Sequence, residues 1–274
     1  MNEICAGEAD VATKNSPVGN CRGFLMTVHD SRGLERYNGL YLWMIIPMVI
    51  MQVGIFRDYW GDLTDNAWAV HVHYWTATLW YLFLILQPLY AERRQFERHR
   101  TNGIIGFFLA GGVAFTALGA LHRDIANAEM SARMRDEFGP FEPWFFYGIA
   151  LVELVMMIAF IIAVVQAIRH RRSLADHAWW LISTVFIIMM PSLGRGMGLL
   201  YGDFVSDGPD QVTIPIYATT AIIIALLLWA ARRYGRVNHP ATWLALGVNL
   251  FNLLFEPLGR SPWLQAVLQA AVKG

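Results

Sequence analysis

Six stretches of predominantly apolar residues, each about twenty long, constrain this chain more than any other feature; they run over 40–56, 69–90, 103–121, 144–168, 178–201 and 213–231. A helix of that length crosses the ~30 Å hydrocarbon core of a bilayer. Within hydrocarbon every backbone N–H and C=O must find a partner in the protein, which favours helices. The expected fold is therefore all-α, a polytopic transmembrane helical bundle. Composition agrees: the chain is 56% hydrophobic and only 15% charged, against roughly 45–50% and 25% for soluble domains. Tyr37, Trp43, Trp68, Trp144, Trp179, Trp180 and Tyr201 lie near span ends, where amphipathic rings favour the interface.

Beyond the sixth span, Thr242, Asn249, Asn252 and Glu256 share one helical stripe in an otherwise apolar segment. That pattern suits an interfacial helix or a short seventh span that turns its polar stripe inward. Ser261-Pro262 then opens a last short helix. Three regions follow: a polar N-terminal segment over 1–37, a six-span domain over 38–231, and C-terminal amphipathic helices or a seventh span over 232–274.

Arginine asymmetry sets the expected orientation. The loop 91–102 carries Arg93, Arg94, Arg98 and Arg100, 169–177 carries Arg169, Arg171 and Arg172, and Arg232, Arg233 and Arg236 follow the sixth span. Loop 57–68 has one arginine and 202–212 has none. The N-terminal segment, which holds Cys5 and Cys21, is thereby assigned to the cytoplasm. It lacks a signal-peptide apolar core, so the first span serves as the insertion signal. Within loop 122–143, the stretch 125–138 is expected to form a short helix on the outer surface.

Polar groups at membrane depth are costly and mark function. His71 and His73 begin the second span and His122 ends the third on the same side, while His99 and His177 lie at the opposite level. Facing neutral imidazoles are what a six-coordinate b-type haem needs; another metal, or plain interfacial histidine, would use the same residues. His71 and His73 are two apart and project to different helix faces, so at most one points inward. Glu153 and Arg195 lie within the fourth and fifth spans. They suit an internal ion pair, or catalytic work: a proton relay through Glu153 and an anion held by Arg195. The small residues of the third span, among them Gly103, Gly106, Gly111, Gly112 and Gly119, fit close helix packing or room for a flat cofactor.

No lysine lies in any span, which excludes a retinal Schiff base; no P-loop, His-Glu-x-x-His or Gly-x-Ser-x-Gly motif occurs. Zero net charge gives no reason to expect nucleic acid as a partner.

The run His71-x-His73-Tyr-Trp, Gln87-Pro88, Arg93-Arg94 and His99-Arg100-x-x-Gly103, followed by Asp176-His177-Ala-Trp-Trp180, Pro191 and Arg195, resembles an uncharacterised family of bacterial multi-pass membrane proteins. That family is similar in layout to the diheme transmembrane b-type cytochromes. The resemblance implies a bacterial inner membrane and a four-helix redox core. His122 would pair with His71 or His73 at the outer level, and His99 with His177 at the inner one. It departs from that layout in drawing His99 and His122 from one span and no ligand from the fourth. The function expected is electron transfer through haem b, with a quinone or other subunits of a membrane complex as partners beside the lipid bilayer. The alternatives are a cofactor-free transporter or sensor, and an accessory subunit.

Cysteines introduced singly into loops 91–102 and 169–177 should resist a membrane-impermeant thiol reagent in intact cells and react once the membrane is opened. Rapid labelling of either in intact cells would overturn the cytoplasmic assignment.

Overall fold

The computed structural model describes residues 37–64, 66–205 and 210–273; Cys5 and Cys21 lie outside them. Its elements are α1 (Leu40–Gly54), a π-helical turn (Phe56–Trp60), α2 (Trp68–Glu92), α3 (Phe96–Arg133), α4 (Pro143–Arg169), α5 (Leu174–Ile188), α6 (Met190–Phe204), α7 (Thr213–Tyr234), α8 (Pro240–Phe251), α9 (Phe255–Gly259) and α10 (Pro262–Lys273). No strand occurs among the described residues. Six segments are long and apolar enough to cross a membrane: α2, α3, α4, the continuous pair Leu174–Phe204, α7, and Pro240–Gly259. The chain is a multi-pass integral membrane protein.

The membership of that set differs from expectation at both ends. Helix α1 has only 15 residues, about 22 Å, and reaches further only through the π-turn that follows it. Pro240–Gly259, by contrast, qualifies as a span. Its polar stripe turns inward: Thr242, Asn249 and Asn252 are all at most 1% exposed. Helix α8 packs against α4, α5 and α7. The interfacial alternative for this segment is therefore replaced by a seventh bundle helix, in which Thr242 bonds Trp179 and the Arg236 carbonyl and the Asn249 amide donates to the Phe186 carbonyl.

Proline and capping chemistry delimits the helices. Pro143, Pro240 and Pro262 occupy first turns, where a missing N–H costs nothing. Pro191 separates α5 from α6 at Met189, since it cannot donate to the carbonyl four residues back. Gly235 closes α7 with φ +66°, a left-handed conformation in which only glycine is free of strain.

Helix α3 runs unbroken for 38 residues, about 57 Å, well beyond a bilayer core. The expected surface helix over 125–138 is instead this helix continuing outward to Arg133. It does so because Ile125 and Ala128 pack with Phe146, Tyr147 and Ala150 of α4 and with Leu264 and Leu268 of α10. Those contacts bury its inner face where water would otherwise meet it.

Helix α5 is the axis of the bundle. Its continuation with α6 is 61% buried over its most apolar stretch, whereas α3 is 17% buried and shows Ile104, Phe107, Phe108 and Phe115 outward, as lipid contact demands. In the small-residue run of α3, Gly106 and Gly112 take Phe83 and Thr76 of α2 where a methyl group would collide, while Gly103, Gly111 and Gly119 have open space around them; close backbone-to-backbone approaches lie elsewhere. They occur where Gly196 of α6 meets Gly54 of α1, and where Gly148 of α4 meets α9: a methyl group on Gly148 would lie 2.8 Å from the Phe255 carbonyl oxygen. Gly148→Ala should therefore force α4 and α9 apart. Overpacking of this kind costs about 1–3 kcal/mol, and a thermal-shift series in detergent should show a lowered Tm, whereas Gly111→Ala should leave Tm unchanged.

Candidate functional site

Two cavities open toward opposite ends of the bundle, and between them they collect most of the polar groups at depth. The first lies at the end formed by the α2–α3 and α4–α5 turns. It encloses about 600 Å³ and is walled by Leu40, Met44, Leu84, Leu181 and Ile182, with His99 of α3 and His177 of α5 in its lining. The two imidazoles are steeply inclined, 77° between planes, with ring centres 6.3 Å apart.

Each ring is anchored through Nδ1. His177 reaches the Ala167 carbonyl at 2.8 Å, one of the last four carbonyls of α4 that the helix itself leaves unpaired. His99 reaches the Gln87 carbonyl of α2 at 3.4 Å. Since a carbonyl only accepts, each Nδ1 carries the hydrogen, and each Nε2 keeps its lone pair. The Gln87 side chain is buried in the same lining, its Nε2 without a partner among the described residues. Arg94, Asn38 and Tyr37 border the cavity.

The first turn of α5, and with it His177, is held by a polar clasp. Ser173 donates to Asp176 at 2.8 Å, and Arg236 donates to Asp176 at 2.7 Å and to the Tyr37 hydroxyl at 3.2 Å. Tyr37 in turn donates to the Ala175 carbonyl. His239 accepts the Ala241 N–H through Nδ1 and so caps α8. Burial, reinforced by neighbouring Arg236, lowers the His239 pKa, which keeps that capping nitrogen unprotonated.

The second cavity, about 640 Å³, lies between α1, α2, α3, α4 and α6; His73, Tyr74, Arg123, Glu153, Ser192 and Arg195 supply its polar lining. A smaller pocket of about 70 Å³ adjoins it through His73, Ala77, Glu153 and Pro191. Glu153 and Arg195 line the same large cavity, but the ion pair of Arg195 is with Asp58 of the π-turn, at 2.9 Å, and the Tyr74 hydroxyl accepts a further N–H at 2.5 Å. Glu153 meets instead the Asp124 carboxyl of α3, whose other oxygen accepts two N–H groups of Arg123 at 3.1 and 3.2 Å.

Asp124 and Asp58 are the members of this cluster that sequence reasoning missed. Asp124 belonged to a stretch assigned to a loop, and only the unbroken α3 turns it inward. A signal was available: Val113, Ala117, Ala120, Asp124 and Ala128 fall at helical spacing on one face.

The outer histidines do not form a facing pair. His71 Nδ1 is bonded to the Tyr59 hydroxyl at 2.9 Å, His73 Nδ1 to Thr116 Oγ1 at 3.0 Å, and His122 is exposed. The face of α3 that packs inward passes through Asp124, Ile125 and Ala128, and His122 falls off it. His73 is thus the one of the three that lines the cavity.

Among the described residues no three His, Cys, Asp or Glu side chains converge to cage a metal ion. Compared with family models, curated proteins and solved structures, the chain matches none.

Asp58 and Arg195 are 40% and 37% exposed at their side chains, so water screens their attraction. A double-mutant cycle of Asp58→Ala and Arg195→Ala should give a coupling of at most about 1 kcal/mol in unfolding free energy. A larger value would show that the pair lies in a drier setting than its exposure implies.

Proposed function

We propose that this protein is a membrane electron carrier in which His99 and His177 hold a single b-type haem across the arginine-rich end of the bundle. The observation that carries this reading is the geometry of the two imidazoles. Two imidazoles sharing one iron would have ring centres about 6.2–6.4 Å apart, from ~2.0–2.1 Å to each nitrogen and ~1.1 Å more to each ring centre. The rings here stand 6.3 Å apart, on α3 and α5, with both Nδ1 atoms committed to carbonyls. Second-shell bonds of that kind fix the tautomer and ring angle and raise the basicity of the ligand nitrogen. Haem brings four nitrogens of its own and asks the protein for two, so the absence of a three-residue cage among the described side chains is no obstacle.

The walls also fit. A lining of Leu40, Met44, Leu84, Leu181 and Ile182 suits an apolar macrocycle, while Arg94 and the unpartnered Gln87 amide stand ready for acidic or carbonyl oxygens. When bound, haem would supply a reversible one-electron couple; His99 and His177 would hold it, and the apolar lining would seat its macrocycle. A membrane quinone, or a neighbouring subunit of a larger complex, fits as the redox partner. The resemblance to bacterial multi-pass proteins and the arginine-dense loops support a bacterial inner membrane with this end in the cytoplasm. A cofactor-free transporter or sensor is the second reading, and the buried carboxyls and arginines at the opposite end favour it.

Protein purified from haem-sufficient cells should show a Soret band and, on dithionite reduction, a sharp α-band. His99→Ala and His177→Ala should each abolish the six-coordinate low-spin spectrum, whereas His122→Ala should leave it unchanged. Folded protein without a Soret band would end the haem reading and promote the transporter alternative.

A further inference from the structure

The cavity at the opposite end contains an arrangement that electron transfer through His99 and His177 does not use. Helices α3 and α4 pack closely along their length and bring together the carboxyl groups of Asp124 and Glu153, each with a buried oxygen that no donor reaches. Asp124 is 4% exposed. Its Oδ1 accepts both N–H groups that Arg123 offers, while its Oδ2 and the Oε2 of Glu153 are buried and receive no N–H or hydroxyl hydrogen in the structure. Two facing carboxylate oxygens have acceptors only, and each buried acceptor left unpaired costs about 1–3 kcal/mol, more when charged. A single hydrogen between them pairs both.

We propose that Asp124 and Glu153 form a proton-binding site, in which Glu153 Oε2 carries the hydrogen and donates it to Asp124 Oδ2. The hydrogen belongs on Glu153 because Arg123 already compensates Asp124 through two hydrogen bonds. Charge balance around the pair agrees. The groups facing it are Arg123 beside Asp124 on α3, His73 and Tyr74 on α2, Arg195 on α6, and Asp58 on the π-turn. Two arginines stand against three carboxyl groups, so one proton brings the cluster to neutrality with His73 neutral. A neutral cluster is what low-dielectric surroundings tolerate.

The site also has a route for exchange. Glu153 lines both the 640 Å³ cavity and the small pocket beyond it, and the larger cavity extends to Arg123, whose side chain is 41% exposed. Water filling that cavity connects the Glu153 carboxyl to the aqueous phase at one end of the bundle, while Met156, Met157 and Phe160 close the other side. Proton uptake and release through this opening is therefore one-sided. The site stands independently of haem: it shares no residue with the His99–His177 cavity.

Infrared spectroscopy of the intact protein in lipid nanodiscs tests the proposal. The unsubstituted protein at neutral pH should show a protonated-carboxyl C=O band that shifts promptly in D2O and moves on labelling with carbon-13 glutamate. Glu153→Gln should remove it. Asp124→Asn should leave it but move its frequency, since the hydrogen then loses its carboxylate acceptor. No such band, a band insensitive to glutamate labelling, or a band unmoved by Asp124→Asn would each overturn the shared site. The labelling measurement needs no substitution, so a variant that fails to fold leaves the proposal decidable. None of these readouts involves a haem spectrum, so the two readings stand or fall separately.

Discussion

Pro191 opens the central helix of the bundle, and the Asn249 side chain supports that opening. A proline in a membrane helix leaves the carbonyl four residues back, here that of Ile187, without its donor and pushes the turn that contains it apart. Here Asn249 of α8 donates to the Phe186 carbonyl at 3.0 Å and to its own Ala245 carbonyl at 2.8 Å. That amide is 0% exposed, so the bond is formed where water cannot replace it. It ties α8 to the break, makes the C-terminal segment part of the bundle, and divides the axis into α5, bearing His177, and α6, bearing Arg195. The two cavities lie on either side of this junction.

On the α5 side, rigidity comes from bonds that also solve problems of helix termination. His177 satisfies an orphan carbonyl of α4, and the Asp176–Arg236–Tyr37 clasp ties the first turn of α5 to the end of α7. Ring positions set by such obligatory partners are difficult to move, which is the quality an axial ligand needs. On the α6 side the polar groups are more numerous and wetter. Arg195 is shared between Asp58 and Tyr74, and the pair Asp124–Glu153 lies one helix away. One end thus presents fixed, apolar-walled nitrogen donors, and the other a half-exposed ion pair beside two buried carboxyl groups.

Local properties were legible before any fold was known. Apolar length located the second, fourth, fifth and sixth expected spans to within a few residues, because burying twenty residues in hydrocarbon is decided by each segment alone. The inner histidines were legible as well, since His99 and His177 lie near the starts of α3 and α5, two spans apart and so running the same way across the bundle. What misled was any feature that depended on a partner. The stretch after Leu121 reads as polar because Arg123, Asp124 and Glu129 interrupt it, yet it continues as helix once α4 and α10 cover its inner face. The C-terminal segment reads equally well as interfacial until α5 and α7 receive its polar stripe.

The sequence by itself therefore determined a multi-helix membrane protein and the positions of most of its apolar helices, which follow from hydropathy and helical rise along one strand of chain. Tertiary structure alone decided which groups meet. Rotation about the helix axis, set by side-chain packing and carrying no simple mark in the sequence, turned His122 outward and Asp124 inward. The same rotation gave Arg195 to Asp58 and left Glu153 facing another carboxyl.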